Sequence, residues 1–315
     1  MSSFLSKVFA HKQYAAFRPS YPAELYAAVL QYHRTSGRDP LRHRLALDLG
    51  TGHGVVVRSL APHFTKVVGT DPSAGMIKQA QTITQADALL QGPGKVVFRQ
   101  APAEKIDFLA DGAVDLVTAG QAAHWFDYPT LWPEMARLTR PVSTLAFFGY
   151  KDHVLPQYPR ASELIQHYAY SKEPHLLGSY WQQPGRSIVQ DKLRKVIPPP
   201  EQWEDVQRIE YEPDVKAGLG GGQGTRFMSA RMKLGAMEEY IRTWSSFHEW
   251  QRKFPDRKRR GTEGDTDGKG DVIDELMDKV RETEPQLQGD GSPSGWKDLE
   301  VDVEWGSALI LARRR

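Results

Sequence analysis

The sequence predicts an α/β fold with a doubly wound, mostly parallel sheet, and three observations lead there. Five apolar runs, one ending at Asp48 and the others at 66–70, 95–99, 114–120 and 144–150, alternate with stretches of helical periodicity. The first run opens into alternating glycines, Gly50, Gly52 and Gly54, which let the chain turn sharply with no side chain in the way. The second run ends in an acidic residue, Asp71, where a carboxylate can reach a ribose diol.

Taken in order, Leu25, Ala28, Val29 and Tyr32 predict a helix over 23–34, opened by Ser20 and Pro22 as cap and first-turn residue. Val55, Val56, Ser59 and Leu60 suggest a short helix whose positive end starts at the glycine loop. Ser73 is an N-cap candidate before Met76, Ile77, Ala80 and Ile83, a second helix on the sheet. The turn Gly92-Pro93-Gly94 precedes the third strand, which leads into Ala101-Pro102-Ala103-Glu104. The fourth strand, 114–120, delivers Gln121 to Asp127 to its C-terminal end, the edge at which open parallel sheets bind ligands. A helix over 131–140 ends before Pro141 and hands over to the fifth strand.

Beyond Asp152 the regularity fades. A helix over 158–170, a stiff connection at 198–200 and a sixth strand over 206–211 are the readable pieces. The glycines of 218–224 form a flexible loop, since no Gly-Lys-Ser or Gly-Lys-Thr follows to make a phosphate site. Met237, Tyr240, Ile241, Trp244 and His248 form an amphipathic stripe for core packing. The basic run 252–260, followed by Glu263, Asp265, Asp267 and Asp271, reads as a solvated loop. Val272, Ile273, Leu276, Met277 and Val280 mark one more helix, and 299–313 a long closing strand. The expectation is a single domain over 1–315: a core of about 41–151 with the closing strand, and a helical cap inserted over about 152–295.

Bulk composition names no polymeric partner. A net charge of +2 provides no field for nucleic acid or anionic membrane, and the absence of cysteine removes disulfides, thiolate nucleophiles and Cys-ligated zinc. No stretch approaches the length of a membrane span, so a cytoplasmic protein is expected.

The ligand follows from the two loops. Dinucleotide sites use G-x-G-x-x-G, whereas this chain has G-x-G-x-G with Asp48 just before it. A carboxylate there repels a pyrophosphate but accepts hydrogen bonds from an ammonium group. S-adenosyl-L-methionine satisfies both loops. Its contacts are assigned to Asp48, Gly50, Thr51 and Gly52 in the first, and to Asp71, Pro72, Ser73 and Met76 in the second.

With these motifs the chain resembles the class I S-adenosylmethionine-dependent methyltransferases. Within them, Arg18-Pro19-Ser20-Tyr21-Pro22, the Gln121 to Asp127 segment and Tyr240-Ile241-Arg242-Thr243-Trp244-Ser245 resemble the trans-aconitate and small-toxin methyltransferase group. The resemblance is strong over 14–152 and weak beyond. It implies a Rossmann-like, seven-stranded sheet whose last strand runs antiparallel. It also implies that the segment carrying Tyr14 and Arg18 folds over the methionine end of the cofactor, with Arg18 pairing its carboxylate. Related enzymes commonly carry an acid for the adenine amino group where this chain has Pro102, which leaves the adenine to backbone near Ala103 or to Glu104; Gln121 completes the cofactor set. The Asn- or Asp-Pro-Pro-aromatic sequence of nucleic-acid amino-methyltransferases is missing at 121–127.

The leading expectation is O-methylation of a small carboxylic acid, with no metal. His124, Trp125 and Phe126 supply one polar group on an aromatic wall, Arg226 and Arg231 are candidate anion partners, and His124 is the candidate base. The alternatives are a hydroxyl or thiol of a secondary metabolite as acceptor, and a cofactor-binding regulator without turnover.

Overall fold

The computed structural model describes residues 17–35, 43–87, 90, 95–265, 268–292 and 294–315. The chain divides into two compact units: 20–151 with 187–210 and 307–315, here the sheet unit, and 1–19 with 152–186 and 211–306, here the insert unit.

The sheet unit opens with α1 (Ala23–Arg34), which buries Leu25, Tyr26, Val29, Leu30, Tyr32 and His33. Two polar contacts tie α1 down: His33 Nδ1 lies 2.9 Å from Thr144 Oγ1, and Arg313 Nη2 donates to the Tyr32 carbonyl at 2.9 Å. Strand β1 (Leu45–Leu49) is buried along its whole length, as a central strand covered on both faces must be. It is followed by α2 (Val55–Leu60), β2 (Lys66–Asp71), α3 (Ala74–Gln85), β3 (Val96–Gln100), β4 (Val114–Gly120), α4 (Tyr128–Leu138) and β5 (Thr139–Val154). These five strands pair in parallel, β1 with β2 and β4, β2 with β3, and β4 with β5. Leu47, Leu49, Val117, Leu131, Met135, Phe147, Trp203 and Ile310 sit in one buried cluster between sheet and helices.

Helix α4 starts and ends earlier than the sequence suggests. Pro129 occupies its first turn, where a missing N–H costs nothing, and the chain is already extended at Thr139, because the residues before Pro141 are steered out of the helical region.

In the insert unit, α5 (Pro159–Tyr170) realises the expected helix, and α6 (Gly185–Gln190) begins there and ends in the sheet unit. After β6 (Trp203–Glu212), β7 (Gln223–Gly224) and β8 (Ser229–Lys233), the stripe at 237–248 is split between α7 (Leu234–Arg242) and α8 (Ser245–Lys253). The Thr243 hydroxyl donates back to the Tyr240 carbonyl at 2.6 Å and Trp244 is extended, so one helix ends and the next is started. Helix α9 (Val272–Thr283) carries a capping box between Asp271 and Asp274. Strand β9 (Glu300–Arg314) closes the chain.

The described strands form one nine-stranded mixed sheet in the order β3-β2-β1-β4-β5-β9-β6-β7, with β8 on β9. The fold class is as expected, with two strands more than seven; the pairs β6–β7 and β8–β9 are antiparallel.

Beyond Lys253 the basic run forms a largely exposed loop, as expected, in which two arginines are held by ion pairs. Arg259 donates to Glu238 at 3.0 Å and also to Glu239, and Arg260 pairs with Asp278 at 2.6 Å. The carboxylates paired with Arg259 and Arg260 sit on α7 and α9 rather than in the acidic stretch that follows. No helix among the described residues is long and apolar enough to cross a membrane.

Candidate functional site

The glycine loop takes its shape from backbone that only glycine adopts readily. Gly50, Gly52 and Gly54 have φ of +62°, +54° and +85°. A Cβ on Gly50 would stand 2.5 Å from that of Ala122, and one on Gly54 2.8 Å from the Phe98 ring. A Cβ on Gly52 would meet nothing within 4 Å, so Gly52 presents bare backbone to open space.

Asp71 clamps this loop to the next. Its Oδ2 accepts from the Gly52 N–H at 2.9 Å and its Oδ1 from the Ser73 N–H at 2.8 Å. Thr51 N–H adds a bond to the Thr70 carbonyl at 2.8 Å. Each Asp71 oxygen keeps a second lone pair for a hydroxyl donor. Burial raises this carboxyl above the ordinary range, against the pull of the Ser73 and Gly52 N–H groups. Ser73 caps α3, accepting from Met76 N–H at 3.3 Å, and Met76 is buried. Pro72 is exposed and accepts from Gln100 Nε2 at 2.9 Å.

Asp48 is fully buried on β1. Its Oδ1 accepts from Thr118 Oγ1 at 2.7 Å, while Oδ2 has no hydrogen-bond partner among the described residues. Burial pushes its carboxyl up to about 7; the Thr118 and Thr51 hydroxyls oppose the rise and the charge of Asp71 adds to it. A buried carboxylate oxygen without a partner is costly, and a ligand ammonium is the chemistry that relieves it. Bare backbone at Gly52, the Asp71 lone pairs and the open Asp48 oxygen therefore fit the amino-acid and ribose parts of S-adenosylmethionine. Thr118 and Ala122, which hold Asp48 and pack on Gly50, escape a sequence reading because both come from β4 and its following loop.

The remaining residues are placed unevenly. Ala103 is buried in the core. Glu104 Oε1 accepts from the Asp127 N–H at 2.9 Å. Gln121, with φ of +52°, spends its side chain on the Tyr150 backbone, Nε2 donating to the carbonyl at 2.8 Å and Oε1 accepting from the N–H at 2.7 Å. The His124 ring lies 4.7 Å from that of Trp125, which is 38% exposed. Phe126 turns inward, 5.9 Å from the Phe147 ring. Of the expected wall, Trp125 is exposed and Phe126 is partly buried against the core.

In the insert unit, Arg18 Nη2 donates to the Thr243 carbonyl at 3.1 Å and its guanidinium lies 5.4 Å from the centre of the Tyr240 ring. Arg226 pairs with Glu304 at 2.6 Å, and that buried carboxylate also takes Gly220 N–H and Tyr211 hydroxyl. Arg231 pairs with Glu300 at 2.8 Å. Both arginines are therefore already neutralised. Tyr14 lies outside the described residues, as does the turn at 92–94.

Residues 47–147 match the family model described as methyltransferase domain. A Saccharomyces cerevisiae protein named "probable S-adenosylmethionine-dependent methyltransferase CRG1" is 26% identical, covering 100% of this chain and 99% of its own. The methyltransferase pgmE of Aspergillus terreus is 23% identical, covering 96% and 92%. A solved structure from Anaeromyxobacter dehalogenans, provisionally named a type II methyltransferase, shares the fold at a TM-score of 0.62 with 24% identity, covering 94% of this chain and 98% of its own.

Proposed function

Because this chain is a class I S-adenosylmethionine-dependent methyltransferase, its open question is the acceptor, and we propose a small carboxylic acid methylated on oxygen. One observation carries the reading. The carboxylates around the loop after β4 are committed to local structure: Glu104 to the Asp127 N–H, and Asp127 Oδ2 to the Thr130 hydroxyl at 2.5 Å. That loop is left with His124 as its titratable group, and a carboxylate acceptor, ionised at neutral pH, needs no base.

S-adenosylmethionine supplies the methyl group on a sulfonium, a good leaving group. The protein's part is orientation. Asp48 would hold the ammonium end through Oδ2 and Asp71 the ribose, with the Gly50–Gly52 backbone admitting both. His124 and Trp125 would orient the acceptor, and the bound sulfonium would supply its methyl group to the acceptor oxygen. Alignment and exclusion of water supply the barrier reduction. A hydroxyl or thiol acceptor would instead need His124 to take its proton.

The test is incubation with the cofactor and matched panels of carboxylic acids, phenols and thiols, with product mass detection. Methylated acids are expected. Ready methylation of phenols or thiols and of none of the acids would overturn the proposal.

A further inference from the structure

Asp48 and Thr118 are Cα partners in the parallel β1–β4 pair, and both lie within the sheet unit. They are 0% and 1% exposed, so bulk solvent reaches neither the carboxyl group nor the hydroxyl. Thr118 Oγ1 donates to Asp48 Oδ1 at 2.7 Å, the most favourable length for a hydroxyl donor.

The groups around Asp48 do not duplicate that bond. The Thr70 hydroxyl donates to the Asp48 backbone carbonyl at 3.4 Å rather than to its side chain. The Thr51 hydroxyl favours the charged carboxylate from nearby but makes no hydrogen bond of its own among the described residues. Asp71 spends its oxygens on the Gly52 and Ser73 N–H groups, and its charge works against a second carboxylate beside it. Tyr26 on α1, whose phenol also feels Asp48, is kept neutral by burial. Among the described residues, then, the Thr118 hydroxyl alone bonds the Asp48 carboxyl group. It ties Oδ1 to β4 and leaves Oδ2 buried and unbonded.

We infer that Thr118 is a positioning residue for the cofactor: its hydroxyl pins Asp48 Oδ1, so that Oδ2 is the oxygen offered to a ligand ammonium and the carboxylate can carry the charge that an ammonium needs. The inference rests on the reading of Asp48 as the ammonium partner. Burial penalises a charged carboxylate, and a donated hydrogen bond offsets part of that penalty. Without the Thr118 hydroxyl both Asp48 oxygens would be buried and unbonded, and the group would keep its proton to higher pH. A protonated carboxyl cannot pair with an ammonium, so binding of the amino-acid end suffers near neutral pH while the nucleoside end is untouched.

The test measures, as a function of pH, the affinities for S-adenosylhomocysteine and for 5′-methylthioadenosine, which has the nucleoside and thioether but no amino-acid end. The ratio of the two isolates what Asp48 contributes and cancels any titration of Asp71. In the wild type this ratio should rise with pH and level off near about 7. Thr118→Val keeps nearly the same shape without the donor. Its level-off point should move up by about one to two pH units, which lowers the ratio at pH 7 by about 5- to 50-fold while methylthioadenosine binds within about twofold of normal. Thr118→Ser restores the donor and should restore the wild-type profile, and Thr118→Ala repeats the loss should the valine variant fail to fold. A valine or alanine variant with the wild-type profile would overturn the inference. So would an equal loss of affinity for both ligands, the mark of a structural role alone. A wild-type ratio that does not change with pH removes the ammonium reading and the inference together.

Discussion

Replacing Gly50 or Gly52 by alanine should separate stability from binding, although the two glycines are two residues apart. Both have positive φ, so alanine costs about 1–2 kcal/mol of backbone strain at either site. At Gly52 that is the whole cost to the free protein, since the added Cβ meets nothing within 4 Å. At Gly50 the Cβ is driven to 2.5 Å from Ala122, and overpacking adds about 1–3 kcal/mol, for about 2–5 kcal/mol in all. Against a typical stability of about 5–15 kcal/mol, Gly52→Ala folds and Gly50→Ala is badly weakened. Binding should order differently. On the proposed placement of the cofactor against the Gly52 backbone, the added methyl would occupy that space, and affinity should fall by about 10²-fold, or about 2.7 kcal/mol. Denaturant unfolding of the ligand-free variants and calorimetric titration with S-adenosylhomocysteine measure the two quantities. Near-normal affinity in Gly52→Ala, or equal stability of the two variants, would refute the reasoning.

Asp71→Ala leaves the Gly52 and Ser73 N–H groups unpartnered, so it should lower unfolding free energy by about 2–4 kcal/mol and weaken cofactor binding by about 1–3 kcal/mol; unchanged binding in titration would mean the ribose is held elsewhere. Asp48, with its carboxyl up at about 7 against an unfolded value of 3.8, keeps its proton in the folded state between those limits, so stability declines as pH rises from about 4 to 7. The ammonium needs the ionised form, so cofactor affinity should rise up to about tenfold per pH unit below 7 and then level off. Asp48→Asn should flatten both profiles; a pH-independent wild-type affinity would contradict the assignment. His124→Asn should retain appreciable turnover with weak pH dependence on an acid, whereas a fall of about 10²-fold near neutral pH would make His124 a base.

The parts readable in advance are those decided by local chain chemistry. Gly50, Gly52 and Gly54 announce a backbone that needs positive φ, Ser73 a cap, Asp71 the end of a strand, and the alternation of runs the parallel sheet. What could not be read is pairing between distant segments. Arg226 and Arg231 are candidate anion partners by sequence, yet Glu304 and Glu300 on β9 pair with them. Arg259 and Arg260 took Glu238 and Asp278 over the acids next to them in sequence. Phe126 packs partly buried against the core beside Phe147; an aromatic ring beside a strand end can face either way and the sequence carries no sign of which.

The central claim is chemical, that the transferred methyl group ends as an ester. The direct measurement is to label the cofactor methyl, let the enzyme turn over with carboxylic acids, and expose the product to mild alkali. The account predicts a labelled product that releases its label as methanol. Label that survives alkali as an ether or thioether would contradict it.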